Sequence, residues 1–137
     1  MEPRSVEELM DLLYACRGDV RRHALRTAAL LRRGRPADKE LQLAGLLTAV
    51  APLPWPGDAS ARADRVADAV RSLLGERVAR LVRGRNGPEA GWDDDLLRLR
   101  QAEEEAHGAV FDAGVLEDWR TVLELVAARD SRLAAND

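Results

Sequence analysis

Residues 41–54 read LQLAGLLTAVAPLP, and this stretch decides the fold. Its first ten residues are mostly apolar helix formers, whereas the prolines at 52 and 54 cannot continue a helix. The pattern predicts a central helix that begins near Ala37 and stops before Pro52. Thr48 and Ala49 stand where this helix is predicted to end.

The sequence on both sides of this stretch also has helical periodicity, and no segment alternates with a period of two. Ser5 and Glu8 form a capping box before a first helix, which Gly18 is predicted to close. We therefore expect one all-α domain over residues 1–137, folded as a single compact bundle of six or seven helices. The further helices are predicted over about 19–33, from Asp58 or Ser60 to Leu74, and over about 76–85, 93–106 and 116–134, with loops at PLPWPGD, NGPEAGW and HGAVFDAG.

Charge and cysteine content exclude several classes of function. The chain has 21 basic and 24 acidic residues, which are interspersed and give a net charge of −3. This pattern argues against a nucleic-acid partner and an anionic membrane, and basic stretches such as RRHALR are predicted to be solvated helix faces. Cys16 is the only cysteine, so an intrachain disulfide and a cysteine-based zinc site are excluded, and the thiol is predicted to be buried and inert.

The N-terminus, MEPRSVEELM, lacks the basic and then apolar order of a signal peptide. The apolar runs are also shorter than the roughly 18 residues needed to span a bilayer. We expect a soluble cytoplasmic protein, either a monomer or a homodimer. Lys39 is the only lysine, and this preference for arginine is typical of a GC-rich bacterial genome.

Five polar residues fall on apolar helix stripes when positions are counted at i, i+3, i+4 and i+7. For example, His23 shares a stripe with Leu30, and Asp130 follows Val122 and Val126 at the same spacing. A side chain on such a stripe is predicted to point inward unless it lies at a helix end and reaches water. The five residues are His23, Thr48, Arg62, Arg85 and Asp130.

The stretch RRHALRTAALLRRGRPADKELQLAGLLTAV resembles the first metal-binding half of HD-domain proteins, in particular the small phosphonate-degrading oxygenases related to inositol oxygenase. RADRVADAVRSLLGERVARLVRGR is similar to the segment that carries two further His ligands in that family. LLRLRQAEEEAHGAVF, followed by VLELVAARD, is similar to the part that ends in the last Asp ligand. The resemblance covers about Asp19 to Arg132 and implies an HD-domain-like helical fold.

The metal ligands of that family are mostly replaced. His23 matches the first His and Asp130 the final Asp, whereas Thr48 and Ala49 stand at the His-Asp pair. Arginines 62 and 85 stand at the two additional His positions. Thr and Ala are not competent ligands here, and a guanidinium has no lone pair to donate. We therefore expect no bound metal and no other cofactor.

Three roles remain open for these residues. In the first, Arg62 or Arg85 pairs with Asp130 and the former site is filled. In the second, Arg62 and Arg85, with Thr48, bind the carboxylate or phosphate of a small anionic ligand in the vestigial pocket. In the third, His23 and Asp130 perform acid-base chemistry in a metal-independent isomerase, cyclase or lyase. The leading interpretation is a non-catalytic or ligand-binding protein, with the enzyme as the alternative.

The remaining motifs are interpreted as structural. His107 is predicted to lie at the surface, Trp119 in the core, and Trp55 and Trp92 at the two main loops, as anchors or as a lid. The acidic run at 93–95 is predicted to cap a helix rather than to bind a divalent cation.

Overall fold

Seven α-helices and one short 3₁₀ helix make up the described chain. The structure, a computed structural model, describes residues 4–47, 50, 59–84 and 93–135, and for 59–63 and 132–135 it describes the backbone alone. These ranges contain no β-strand, so the predicted all-α class with six or seven helices is confirmed. The elements are α1 (Val6–Ala15), α2 (Gly18–Gly34), α3 (Lys39–Leu46), α4 (Ala59–Leu74), α5 (Glu76–Gly84), α6 (Asp94–His107), the 3₁₀ helix (Leu116–Trp119) and α7 (Arg120–Ala135).

The first helix begins as predicted and ends earlier than predicted. The Ser5 hydroxyl accepts a hydrogen bond from the Glu8 backbone N–H at 3.2 Å, which caps α1. The helix ends at Ala15 because Cys16 adopts an extended conformation. The prediction that Gly18 closes α1 is wrong, since Gly18 is the first residue of α2.

The central helix, α3, is shorter than predicted. Asp38 caps it by accepting from the Leu41 backbone N–H at 3.1 Å, so the helix begins at Lys39 rather than near Ala37. It ends at Leu46, and Val50 lies in a turn whose N–H donates to the Leu47 carbonyl at 3.2 Å. The predicted continuation to Pro52 is therefore wrong. All residues from 41 to 47 are buried, so the predicted central position is confirmed.

Most other helix boundaries follow their sequence signals, but residues 116–119, predicted as the start of the last α-helix, form the 3₁₀ helix, and α7 begins at Arg120. Gly75 separates α4 from α5 with a φ of +100°, in the region that glycine adopts without steric cost. The Asp93 carboxylate accepts from the Leu96 backbone N–H at 3.0 Å, which confirms the predicted cap of α6. Trp119 is fully buried, as predicted, and Cys16 is buried with 6% of its surface exposed. Burial raises the pKa of the Cys16 thiol.

Helix α3 lies at the middle of the fold. It packs against α2, α5, α6 and α7, while α4 packs against α5 and α7. A Cβ at Gly45 would lie 2.6 Å from Leu31 Cδ1, so this glycine allows α3 to approach α2 closely. The apolar side chains of all seven helices contribute to one continuous core cluster. The largest fully buried members are Trp119, Leu9, Met10, Leu13, Leu31, Leu41, Leu43, Leu46, Leu47, Leu74, Leu81 and Leu99.

Among the residues that the structure describes, no helix combines the length and the apolar character needed to cross a bilayer.

Candidate functional site

His23 joins α2 to α6. Its side chain is half-buried, and Nε2 lies 3.0 Å from the backbone carbonyl oxygen of Glu103. A carbonyl oxygen only accepts hydrogen bonds, so Nε2 carries the proton and donates it. The backbone carbonyl of His23 in turn accepts from the Thr27 hydroxyl at 2.9 Å. The side chain of His23 therefore lies in the contact between α2 and α6.

His107 covers the imidazole of His23. The two ring centroids are 4.3 Å apart and the ring planes are inclined by 34°. His107 is exposed at the end of α6, so its predicted surface position is confirmed. The contact with His23 was not predicted. No sequence signal indicated it, because the spacing of four residues between Glu103 and His107 becomes informative only once Glu103 is known to contact His23.

Asp130 lies where α7 meets the junction of α4 and α5. Its side chain is half-buried, and Oδ1 would be 2.8 Å from a Cβ placed on Gly75. The absence of a side chain at Gly75 is therefore what allows this carboxylate to approach the turn. Within the part of the chain that the structure describes, the carboxylate has no hydrogen-bond or ion-pair partner.

The other predicted site residues cannot be placed in the same way. Thr48, Ala49 and Arg85 lie outside the described residues, and Arg62 belongs to α4 with its side chain outside them. His23 contacts α6 and Asp130 contacts the α4–α5 junction, so the two described members have different neighbours. In the described ranges, no group of three or more His, Cys, Asp or Glu side chains is arranged to hold a metal ion.

A network of five charged side chains joins α3, α5 and α6, and we call it the Arg77 network. The Arg77 guanidinium binds Asp38 through two parallel contacts of 2.6 and 2.8 Å. The same group lies 3.2 Å from a Glu40 oxygen and 3.1 Å from an Asp95 oxygen. Arg35 completes the network with a contact of 2.9 Å to Asp95. Two-point contacts of this kind are the strongest form of arginine–carboxylate pairing.

The network shifts the protonation equilibria of its members. Hydrogen bonding to Arg77, aided by the Leu41 backbone N–H, holds the pKa of Asp38 below its ordinary range. Hydrogen bonding to Asp38 and the other carboxylates holds the pKa of Arg77 above its ordinary range. Both groups are therefore charged across the physiological pH range. Sequence reasoning missed this network, and it placed Asp38 within the predicted helix rather than at the residue before α3.

A cavity of about 570 Å³ opens beside the Arg77 network, and we call it the α3–α7 cavity. It has an apolar floor from Leu125 and Val126 of α7 and a polar wall from the beginning of α3. Its volume lies within the range of small-molecule sites, roughly 300 to 1,000 Å³. Among the residues that the structure describes, the cavity is lined by Ala37, Asp38, Lys39, Glu40, Arg77, Leu125, Val126 and Arg129.

A smaller cavity of about 240 Å³ lies between α2 and α6. It includes Arg33 and Arg98, together with Glu105. Arg33 also lies over the Phe111 ring, 5.3 Å from its centroid, and Arg98 Nη1 would be 3.7 Å from a Cβ on Gly34 at the end of α2. Cations near a helix C-terminus stabilise it, so these arginines have a structural explanation.

The chain matches no protein-family model, and no curated protein or solved structure is significantly similar to it.

Proposed function

We propose that the protein is an HD-domain-like protein that has lost its metal site and that acts without catalysis, by binding a small anionic ligand. The environment of His23 carries this proposal. Its Nε2 proton is donated to the Glu103 carbonyl, and the imidazole is covered by His107. This proton is engaged in the contact between α2 and α6, which supports a role for His23 in packing.

The position of Asp130 supports the same proposal. General acid-base catalysis requires both groups to reach one reacting region within hydrogen-bond distance. Asp130 lies against Gly75, whereas the ring and carbonyl next to His23 belong to α6. These separate surroundings favour binding over the alternative of a metal-independent enzyme that uses His23 with Asp130.

Metal content and turnover test this proposal. The protein is expressed in medium supplemented with iron or manganese, its metal content is measured by mass spectrometry, and phosphomonoesters and phosphonates are offered as substrates. We expect substoichiometric metal and no turnover. A stoichiometric, tightly bound metal would overturn the loss of the metal site. Turnover that disappears in both His23→Ala and Asp130→Ala would instead establish the metal-independent enzyme.

The vestigial pocket has its own test. In this proposal Arg62 and Arg85, with Thr48, are the residues at former ligand positions that would face an anion. Thermal shifts with phosphate and sulfate are compared for the natural chain, Arg62→Ala and Arg85→Leu. A response that both substitutions remove would assign the ligand to this pocket, and an unchanged response would exclude it from there.

A further inference from the structure

We infer that the α3–α7 cavity is a binding site for an amphipathic anion, a carboxylate with an apolar body. This inference rests on the proposed function in one respect, that the protein acts by binding. The proposed site is different, because neither His23 nor Asp130, the two former metal-ligand positions whose side chains the structure describes, is among the residues that line this cavity.

The charged side chains around the cavity favour an anionic ligand. Arg77 is already neutralised, since its guanidinium contacts three carboxylates, those of Asp38, Glu40 and Asp95. Lys39 and Arg129 line the same cavity from α3 and α7, are exposed, and have no ion-pair or hydrogen-bond partner among the described residues. The Arg77 network has two guanidinium groups and three carboxylates, so Lys39 and Arg129 leave a net charge of +1 around the cavity, which favours an anion.

The apolar floor of the cavity favours a ligand that has an apolar part. Leu125 is 53% exposed, and it lies beside Val126, which is buried. A ligand that covers Leu125 would remove this apolar surface from water, which is favourable. A purely ionic ligand such as inorganic phosphate would leave the surface exposed. The combination of an apolar floor with cations at two edges thus fits a molecule with one anionic group and one aliphatic or aromatic part.

The network beside the cavity makes the site preorganised. Arg77 connects the beginning of α3 to α5 and α6, so the wall that carries Lys39 is held before any ligand arrives. A preformed site avoids part of the entropic cost of ordering side chains on binding.

Titration calorimetry with four probes tests the chemistry of the ligand. Octanoate has both parts of the predicted ligand, acetate and inorganic phosphate have the charge alone, and octylammonium has the apolar body with the opposite charge. We expect octanoate to bind more tightly than the other three. Tighter binding of octylammonium would show that the carboxylates of the Arg77 network recognise the ligand and would overturn the inference, as would the absence of octanoate binding.

Three substitutions test the site. Lys39→Gln and Arg129→Gln each remove one cation, and each is expected to weaken octanoate binding by about two- to fivefold, the usual effect of losing one exposed charged contact. Leu125→Glu places a carboxylate on the floor and should weaken binding at least as much. All three positions are exposed, so folding is expected to be preserved. Arg98→Gln on α6 is the matched control, because Arg98 does not line this cavity, and it should leave octanoate binding unchanged.

Lys39 also offers a direct report of occupancy, since it is the only lysine in the chain. Reductive ¹³C-methylation gives one lysine signal in an NMR spectrum, apart from that of an N-terminal amine. We expect this signal to shift on addition of octanoate and to remain unchanged with octanol. Octanoate binding that neither moves this signal nor weakens in Lys39→Gln and Arg129→Gln would overturn the cavity assignment while leaving the proposed ligand-binding function intact. Turnover or bound metal would contradict the proposed function and not the cavity.

Discussion

The Arg77 network and the His23–His107 contact both join separate helices through polar groups, but they use different interactions. In the network, one guanidinium contacts three carboxylates, so every charge faces an opposite charge. At the α2–α6 contact, one imidazole donates to a backbone carbonyl and packs against a second ring. The first contact depends on charge and the second on shape and one hydrogen bond. The two regions should therefore respond differently to substitution and to pH.

The largest expected effect is that of Arg77→Leu. The substitution leaves the carboxylates of Asp38, Glu40 and Asp95 without their shared partner in positions that are 18–29% exposed. We expect the free energy of unfolding to fall by about 2 to 3 kcal/mol, less than for a fully buried pair because water still screens the charges. The melting temperature should fall by roughly 8 °C, measured by circular dichroism.

The matched control for Arg77→Leu is Arg80→Leu on the same helix. Arg80 pairs with Asp93 across α5 and α6, but both side chains are about half exposed. Removal of such a pair costs less than about 1 kcal/mol. Equal losses of stability in the two variants would mean that the Arg77 network is no more than a set of surface ion pairs.

The second effect is a change in acid stability. Because Arg77 lowers the pKa of Asp38 in the folded state, the stabilisation is fully present above the ordinary aspartate pKa of about 3.9 and is lost as the pH falls through the lower folded value. Asp38→Asn removes this dependence. We expect urea unfolding of the variant to show lower stability at neutral pH and a shallower loss of stability between about pH 5 and pH 2.

Asp11→Asn serves as the control for this titration, since Asp11 is an exposed carboxylate on α1 without an ion pair among the described residues. Its acid-unfolding curve should follow that of the natural chain. If Asp38→Asn also followed the natural chain, the network would not couple to protonation.

The smallest effect is expected at the α2–α6 contact. His23→Phe keeps a ring against His107 and removes the Nε2 donor to the Glu103 carbonyl. We expect a loss of about 1 kcal/mol, the usual net contribution of one hydrogen bond. His107→Phe keeps the same ring contact without touching that hydrogen bond, and it should change stability by less than about 0.5 kcal/mol. A loss in His107→Phe that matched the loss in His23→Phe would show that ring packing, not the hydrogen bond, holds these helices together.

The helices were predictable to the extent that their signals are local. Ser5 and Asp93 accept from backbone N–H groups three residues ahead, and Gly75 interrupts the chain where α4 meets α5. The predicted ends of α1 and α3 were wrong. Cys16 ended α1 before Gly18 was reached, and α3 stopped at Leu46 although helix formers follow it in the sequence.

The candidate site was predictable only in part. The inward positions of His23 and Asp130 followed from helical periodicity, and both side chains are half-buried. Their partners did not follow from it, since Glu103 lies 80 residues from His23 and Gly75 belongs to another helix junction. The roles of Thr48, Arg62 and Arg85 stay predictions.

The sequence by itself determined the all-α class and most helix boundaries, because these depend on hydrogen bonds and side-chain spacing within a few residues. The tertiary structure alone decided the pairing of Arg77 with Asp38, which are 39 residues apart, and the meeting of Lys39 with Leu125 and Arg129 around one cavity. Such contacts depend on the angles and distances at which whole helices pack, and packing is a collective property of the core that no local pattern encodes.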